Sequence, residues 1–356
     1  MNLKRFGLIF LAGALLFCAN SCEDDEETTA LPSLEGYLRF SIPAYVKPGA
    51  TVTMTPAGVT HPDDEILGYY WKVSPSMAKY DTTRFENGLD KNGNPSDGSF
   101  THTFSDTLKT YTVYGYAYAD GYTSSSASGY CTVVDGTLGK SITNLGFGLN
   151  DKIFKVDGKE YYYMTAGGND WMKSNIDFPT AGVPYNNCSA MSDVFGRYYS
   201  YEEALTICPE GWTLPTNADW IALGEAAGAV VNNDILEGVA SRLMVNAYFN
   251  GERMWEYWPE VGDPVNTVGI SIIPTGFVML GEKNPTPAEN AFIEYNYPNA
   301  IFKGKNEYAA FWTADTVTDE DNMAYYRYII CNQPDVFIGK ADKKSFGASV
   351  RCIRKK

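Results

Sequence analysis

Cys208-Pro-Glu-Gly-Trp-Thr-Leu-Pro-Thr-Asn-Ala-Asp-Trp220 constrains this chain more than any other stretch. A cysteine enters a Pro/Gly turn, and the turn opens into a helix with a marked start. Thr216, with Asp219 three residues on, matches a capping box in which Asp takes the acceptor role. Trp220, Leu223 and Ala227 then recur at helical spacing, so the helix offers one face to a core. A second cysteine closes a short strand at the end of the chain, Ser349-Val-Arg-Cys352. Elsewhere, 26 Tyr and 33 Gly in 356 residues suit short strands and turns better than long helices. With 44% hydrophobic residues the chain can bury cores, and its length predicts about two domains plus tails.

Residues 1–21 read as a targeting segment. Lys4 and Arg5 form its charged part, and Phe6 to Phe17 form an apolar run too short for a comfortable membrane span. Ala19-Asn-Ser-Cys22 looks like a bacterial lipoprotein cleavage site, which makes Cys22 the expected lipidated residue; Cys18 is the competing position. The acidic run Glu23-Asp-Asp-Glu-Glu27 resembles the surface-export signal of Bacteroidota lipoproteins and also reads as a solvated tether over residues 22–34. The expected location is thus the outer membrane, lipid-anchored and facing the cell surface, with periplasmic retention as the alternative. Cleavage removes two of 28 basic residues and no acids, which leaves 26 against 43 and a charge of −17. Such a balance disfavours nucleic acid as a partner.

Residues 35–136 show an all-β pattern. Thr51-Val-Thr-Met-Thr55, Tyr69-Tyr-Trp-Lys-Val73 and Phe100-Thr-His-Thr-Phe104 alternate with Pro, Gly and Asp turns. Thr110 to Tyr118 and Gly129 to Val134 follow across a Ser-rich turn. This spacing predicts a β-sandwich. A Trp in mid-strand and a later Tyr-x-Val strand resemble polycystic-kidney-disease-type (PKD-like) or related bacterial Ig-like modules. Gly136 to Leu149 reads as a Gly-rich connector.

From Lys152 the pattern changes. A hairpin over Lys152 to Met164 turns at Asp157-Gly158. Helices are predicted at about Tyr201 to Ile207 and from Ala218 into the 220s, with a third short one at Val239 to Met244. Taken with Pro274-Thr-Gly276, Phe311-Trp-Thr313 and the closing Ser349-Val-Arg-Cys352, the Cys-Pro-Glu-Gly-Trp block resembles the Fibrobacter succinogenes major paralogous domain family. The resemblance covers about residues 152 to 353. It implies a C-type-lectin-like α+β fold for residues 137–356, after an all-β sandwich at 35–136. It also implies a disulfide between Cys208 and Cys352. Closing so long a loop stabilises by about 5 kcal/mol in the chain-entropy picture. Cys188 and Cys331 form a possible second pair, which the sequence leaves open.

Little here points to catalysis. The two histidines, His61 and His102, both lie before the connector, so Ser-His-Asp and Cys-His arrangements have no histidine in residues 137–356. The lectin calcium motifs Glu-Pro-Asn and Trp-Asn-Asp are absent. Asp90 to Asp97 starts like an EF-hand loop but lacks the closing Glu, and reads as a polar loop. No metal, no cofactor and no enzymatic activity are expected. Glu252, Glu256 and Glu260 lie among Trp255, Tyr257 and Trp258, a composition common in sugar platforms; the competing reading places these aromatics in a partly buried loop. The expected function is binding or adhesion at the cell surface, with a glycan or a partner surface protein as ligand. The alternatives are a glycan-processing enzyme and a structural subunit of a surface appendage.

Overall fold

The computed structural model describes residues 30–356 apart from 76–80, 86–88, 90–92, 106–107, 149–150 and 286–291, and only the backbone of 81–85. The signal segment, Cys22 and most of the acidic tether therefore lie outside the described residues.

Two long strands dominate the N-terminal region. Thr110–Tyr118 alternates strictly, burying Tyr111, Val113, Gly115 and Ala117 on one face. It pairs antiparallel with Ser125–Val133 on one side and Gly68–Ser74 on the other. Tyr45–Val46 and Asp81–Phe85 complete this sheet at its two edges, the former running parallel to its neighbour. Trp71 is fully buried beneath it, with Phe40 and Phe100 at 5.1 and 5.7 Å and its indole N–H donating to the Gly98 carbonyl. The remaining strands do not join into one facing sheet. Thr51–Met54 pairs with Phe100–Thr103, and Glu35–Arg39 pairs separately with Ala57–Thr60 across a register shift.

The C-terminal region is assembled from smaller pieces. Lys152–Val156, Lys159–Ala166, Asn169–Met172 and Ile353–Lys355 form a four-stranded sheet, and Tyr308–Thr316, Met323–Ile330 and Phe337–Asp342 a three-stranded one. The helix Asn217–Ala226 carries the expected capping box, Thr216 accepting from the Asp219 N–H and Asp219 from the Thr216 N–H. Its Trp220 and Leu223 pack with Trp171, Trp255, Phe311 and Ile329. The Pro274-Thr-Gly276 turn needs its glycine: φ is +80°, and a Cβ would sit 2.1 Å from the Lys303 carbonyl oxygen. With Gly276, Phe277–Met279 pairs against Ile301–Lys303.

The expected fold class is corrected by this arrangement. Among the described residues the strands fall into nine small sheets, the largest of five strands. Among the same residues the longest helix has ten residues, and the other three α-helices have four each. This is neither a clear Ig-like or PKD-like sandwich nor a C-type-lectin-like α+β domain. The physical reason is element length. The helix expected over 201–207 is one turn, Tyr201–Ala204, closed by its own Ser200/Glu203 capping box, and single turns add little helical structure of their own. Strands of two or three residues pair with whatever the tertiary packing brings alongside.

The connector is not a free linker. Ile142–Thr143 pairs with Tyr248–Phe249, and Ile142 shares a core with Val134, Cys188, Phe195 and Val245, against which Ala44 and Tyr45 pack. Apolar contact is thus continuous from the N-terminal sheet into the C-terminal region. Lys47 reaches across to Asp193 at 2.7 Å. No helix among the described residues is long and apolar enough to cross a membrane.

Candidate functional site

Cys208 and Cys352 are bonded, closing a separation of 144 residues. The bond holds the loop after the 201–204 turn against the last strand, where Thr213 bridges to Ile353. Beside it Trp212 stacks on Phe154 at 4.4 Å, and the Arg354 guanidinium lies 5.1 Å from the Trp212 ring. The possible second pair does not form. Cys188 and Cys331 are free thiols buried in different clusters, one with Phe195 and Val245, the other with Trp220 and Trp255. Each behaves as a small apolar core residue. Burial pushes the thiols of Cys131, Cys188 and Cys331 up, that of Cys131 to about 12, so none is a ready thiolate at neutral pH.

The structure divides the three aromatic candidates. Trp255 is buried in the main core and donates its indole N–H to the Ile272 carbonyl at 3.1 Å. It is a packing residue and offers no surface to a ligand. Two residues on, the chain turns outward. Tyr257 is 57% exposed and Trp258 39%. The segment is held from below: the Glu256 N–H donates to the Asn306 carbonyl, and the N–H groups of Val261 and Gly262 donate to that of Trp258. Arg253 lies 5.5 Å from the Tyr257 ring and pairs with Asp263 at 2.8 Å. Glu256 and Glu260 stand exposed beside the two rings. Two aromatic faces thus stand in water next to carboxylates, on a loop pinned to the core by Trp255.

A second feature was not legible in the sequence. A cleft of about 250 Å³ opens where the connector, the end of the 152–166 hairpin and the 192–196 turn converge. At its mouth the Lys159 ammonium sits between Asp177 and Asp193, 3.0 Å from the latter, and the Tyr161 hydroxyl donates to Asp177 at 2.5 Å. Burial alone would raise the Asp193 carboxyl, but Lys47 and Lys159 outweigh it and hold it below the usual range. Phe147 stacks on Tyr162 at 4.9 Å to form one wall. On the floor lie Lys173 and Arg351. Nothing local in the sequence marks these residues as a group, because they come from segments up to about two hundred positions apart. The segment Asp90 to Asp97 lies partly outside the described residues, at 90–92, and no cluster of three or more His, Cys, Asp or Glu side chains that could hold an ion is found among the described ones.

The model of the Fibrobacter succinogenes major domain matches residues 164–354. The chain belongs to this family. No curated protein matches the sequence. The Fibrobacter succinogenes major domain contains the disulfide, the helix Asn217–Ala226, the aromatic loop, Lys173 and Arg351. It begins twelve residues later than the resemblance read from sequence. The cleft therefore straddles its edge: Phe147, Lys159 and Tyr162 precede the matched segment, while the floor lies inside it.

Proposed function

We propose that this chain is an envelope protein, lipid-anchored through Cys22 at the outer membrane and displayed at the cell surface, whose Fibrobacter succinogenes major domain binds a glycan or a partner surface protein without transforming it. One observation carries the reading: Tyr257 and Trp258 stand exposed between Glu256 and Glu260 on a loop whose anchor, Trp255, is buried. Aromatic faces stack on sugar rings, carboxylates accept hydrogen bonds from hydroxyls, and a pinned loop loses little entropy on binding. The carboxylate pair of the cleft accords with binding. Asp177 and Asp193 share the Lys159 ammonium, and Asp193 is held low. A glycosidase acid needs the opposite shift.

The test is a glycan array read with cells carrying the full chain, in wild-type form and as Tyr257→Ala/Trp258→Ala and Cys22→Ser. The double variant is expected to lose about tenfold or more in binding with its melting temperature unchanged. Cys22→Ser is expected to lose the lipid label and whole-cell binding while the released protein still binds. Unchanged binding in the double variant, or cleavage of any arrayed glycan, overturns the proposal.

A further inference from the structure

The floor and mouth of the cleft differ in charge. At the mouth each acid has a base: Glu160 pairs with Lys155 at 3.0 Å, Asp177 with Lys159, and Asp193 with Lys47 at 2.7 Å. On the floor two cations face one acid. Lys173, with 3% of its side chain exposed, pairs with Asp151 at 2.7 Å and donates to the Gly146 carbonyl at 2.8 Å. Arg351 is 1% exposed. Its bonds go to the Asn175 side chain at 2.6 Å and to the carbonyls of Met172, Ile270 and Ser271 at 3.2, 2.7 and 3.0 Å. None of these is a carboxylate. A guanidinium has five N–H donors and an ammonium three. Among the described residues each of these floor cations therefore keeps one donor without a hydrogen-bond partner, the Lys173 ammonium lying 5.1 Å from the Phe147 ring.

A buried charge without a counter-ion is costly unless something pairs with it. Burial alone pushes Arg351 down to about 9, which still leaves it charged at neutral pH. The floor thus carries one uncompensated positive charge inside a cleft of about 250 Å³. That is below the ~300–1,000 Å³ of pockets for drug-sized ligands, so the space suits a single ring. The stacked Phe147 and Tyr162 give such a ring an apolar wall, and Asp177, Asp193 and Glu160 at the mouth have carboxylate oxygens that can accept hydrogen bonds from its hydroxyls. One carboxylate matches the single uncompensated charge of the floor, whereas a multiply charged anion such as phosphate would bring in charge that nothing there balances.

We propose that this cleft binds a terminal uronic-acid residue of a glycan, with its carboxylate on Arg351 and Lys173 and its hydroxyls toward the acidic mouth. The proposal rests on the glycan reading above, but it uses a different part of the surface from Tyr257 and Trp258. It is tested on the full mature chain by titration with methyl glucuronide, its methyl ester, methyl glucoside and inorganic sulfate, following binding by calorimetry. The uronide is expected to bind at least about tenfold more tightly than the ester, the neutral glucoside and sulfate. Lys173→Gln and Phe147→Ala are expected to weaken it about tenfold, and Val230→Ala, an exposed position outside the cleft, to leave it unchanged; melting temperatures show that each variant is folded. Equal binding of ester and acid, tighter binding of sulfate, or no binding of the uronide to the wild-type chain overturns the proposal whatever the variants do. Loss of array binding in Tyr257→Ala/Trp258→Ala with no uronide binding removes this proposal alone. Uronide binding that survives in a chain inert on the array removes only the role of the aromatic loop.

Discussion

In the N-terminal region, Thr110–Tyr118 and Ser125–Val133 pair without interruption from Thr110 opposite Thr132 to Ala117 opposite Ser125, and every second residue of Thr110–Tyr118 faces a core. In the family domain the strands are mostly shorter, and side chains do much of the joining. Three fully buried arginines act as clamps. Arg197 pairs with Glu294, Arg327 bonds Asn217 and the Asp234 carbonyl, and Arg351 ties together residues 172, 175, 270 and 271. The disulfide adds a covalent tie between positions 144 apart. One region is held by a repeating backbone pattern and the other by a set of particular long-range contacts. The second kind of structure tolerates variable loops, because the clamps rather than the loops define the frame.

The comparison breaks or sharpens by experiment, the largest expected effect coming from the covalent tie. Cys208→Ala is expected to destabilise the protein by up to about 5 kcal/mol. Amide exchange followed peptide by peptide should show the protection loss concentrated in 164–354 and small in 110–133. An equal loss in both would mean that the core shared around Ile142 and Phe195 couples the regions into one cooperative unit.

Trp71→Ala and Trp255→Ala probe the two cores with the same chemistry. Each removes a fully buried indole and is expected to cost about 3–5 kcal/mol in denaturant unfolding. The exchange losses should fall in opposite regions. A cost under about 1 kcal/mol for Trp255→Ala would refute its place in the core.

The smallest effect is electrostatic and belongs to the family domain. Burial by itself would raise the Asp170 carboxyl, but hydrogen bonds from Thr165, Arg354 and Lys356 outweigh it and hold it at about 2, below 3.8. A depressed carboxylate stabilises the fold above its unfolded pKa and loses that contribution as pH falls through the folded value. Asp170→Asn should therefore cost about 1–2 kcal/mol between pH 5 and 7, the exposed Arg354 and Lys356 ends limiting the gain, with the gap to wild type closing between about pH 4 and 2. The strand pair Thr51–Met54 with Phe100–Thr103 is laced by neutral Thr–Thr bonds. Its exchange protection should not follow this pH course. A gap that persists at pH 2 would show that Asp170 acts by packing alone.

Some of this was legible in the sequence, for local reasons. The alternation of Thr110 to Tyr118, the Asp157-Gly158 hairpin and the Thr216/Asp219 capping box each depend on residues within a few positions of one another. The family blocks at Cys208 and Cys352 carried the disulfide. The fold class was not legible. Strands as short as Val183–Pro184 or Arg197–Tyr198 hold too few residues for a period, and their partners are chosen by packing. Nor could composition separate Trp255 from Trp258. Both lie in one aromatic and acidic stretch, and only the approach of Ile272 and Phe311 makes a core for the first and leaves the second in water.

The sequence by itself determined the local grammar of this protein: where strands alternate, where one helix begins, where the Asp157-Gly158 hairpin turns and which family the C-terminal blocks belong to. The tertiary structure alone decided which aromatic is buried, which cysteines stay free, and that Lys159, Lys173 and Arg351 share one cleft with Phe147. The physical reason is distance along the chain. Short-range preferences are written into neighbouring residues, whereas a buried charge such as Arg351 acquires its surroundings only when segments 80 to 179 positions away close around it.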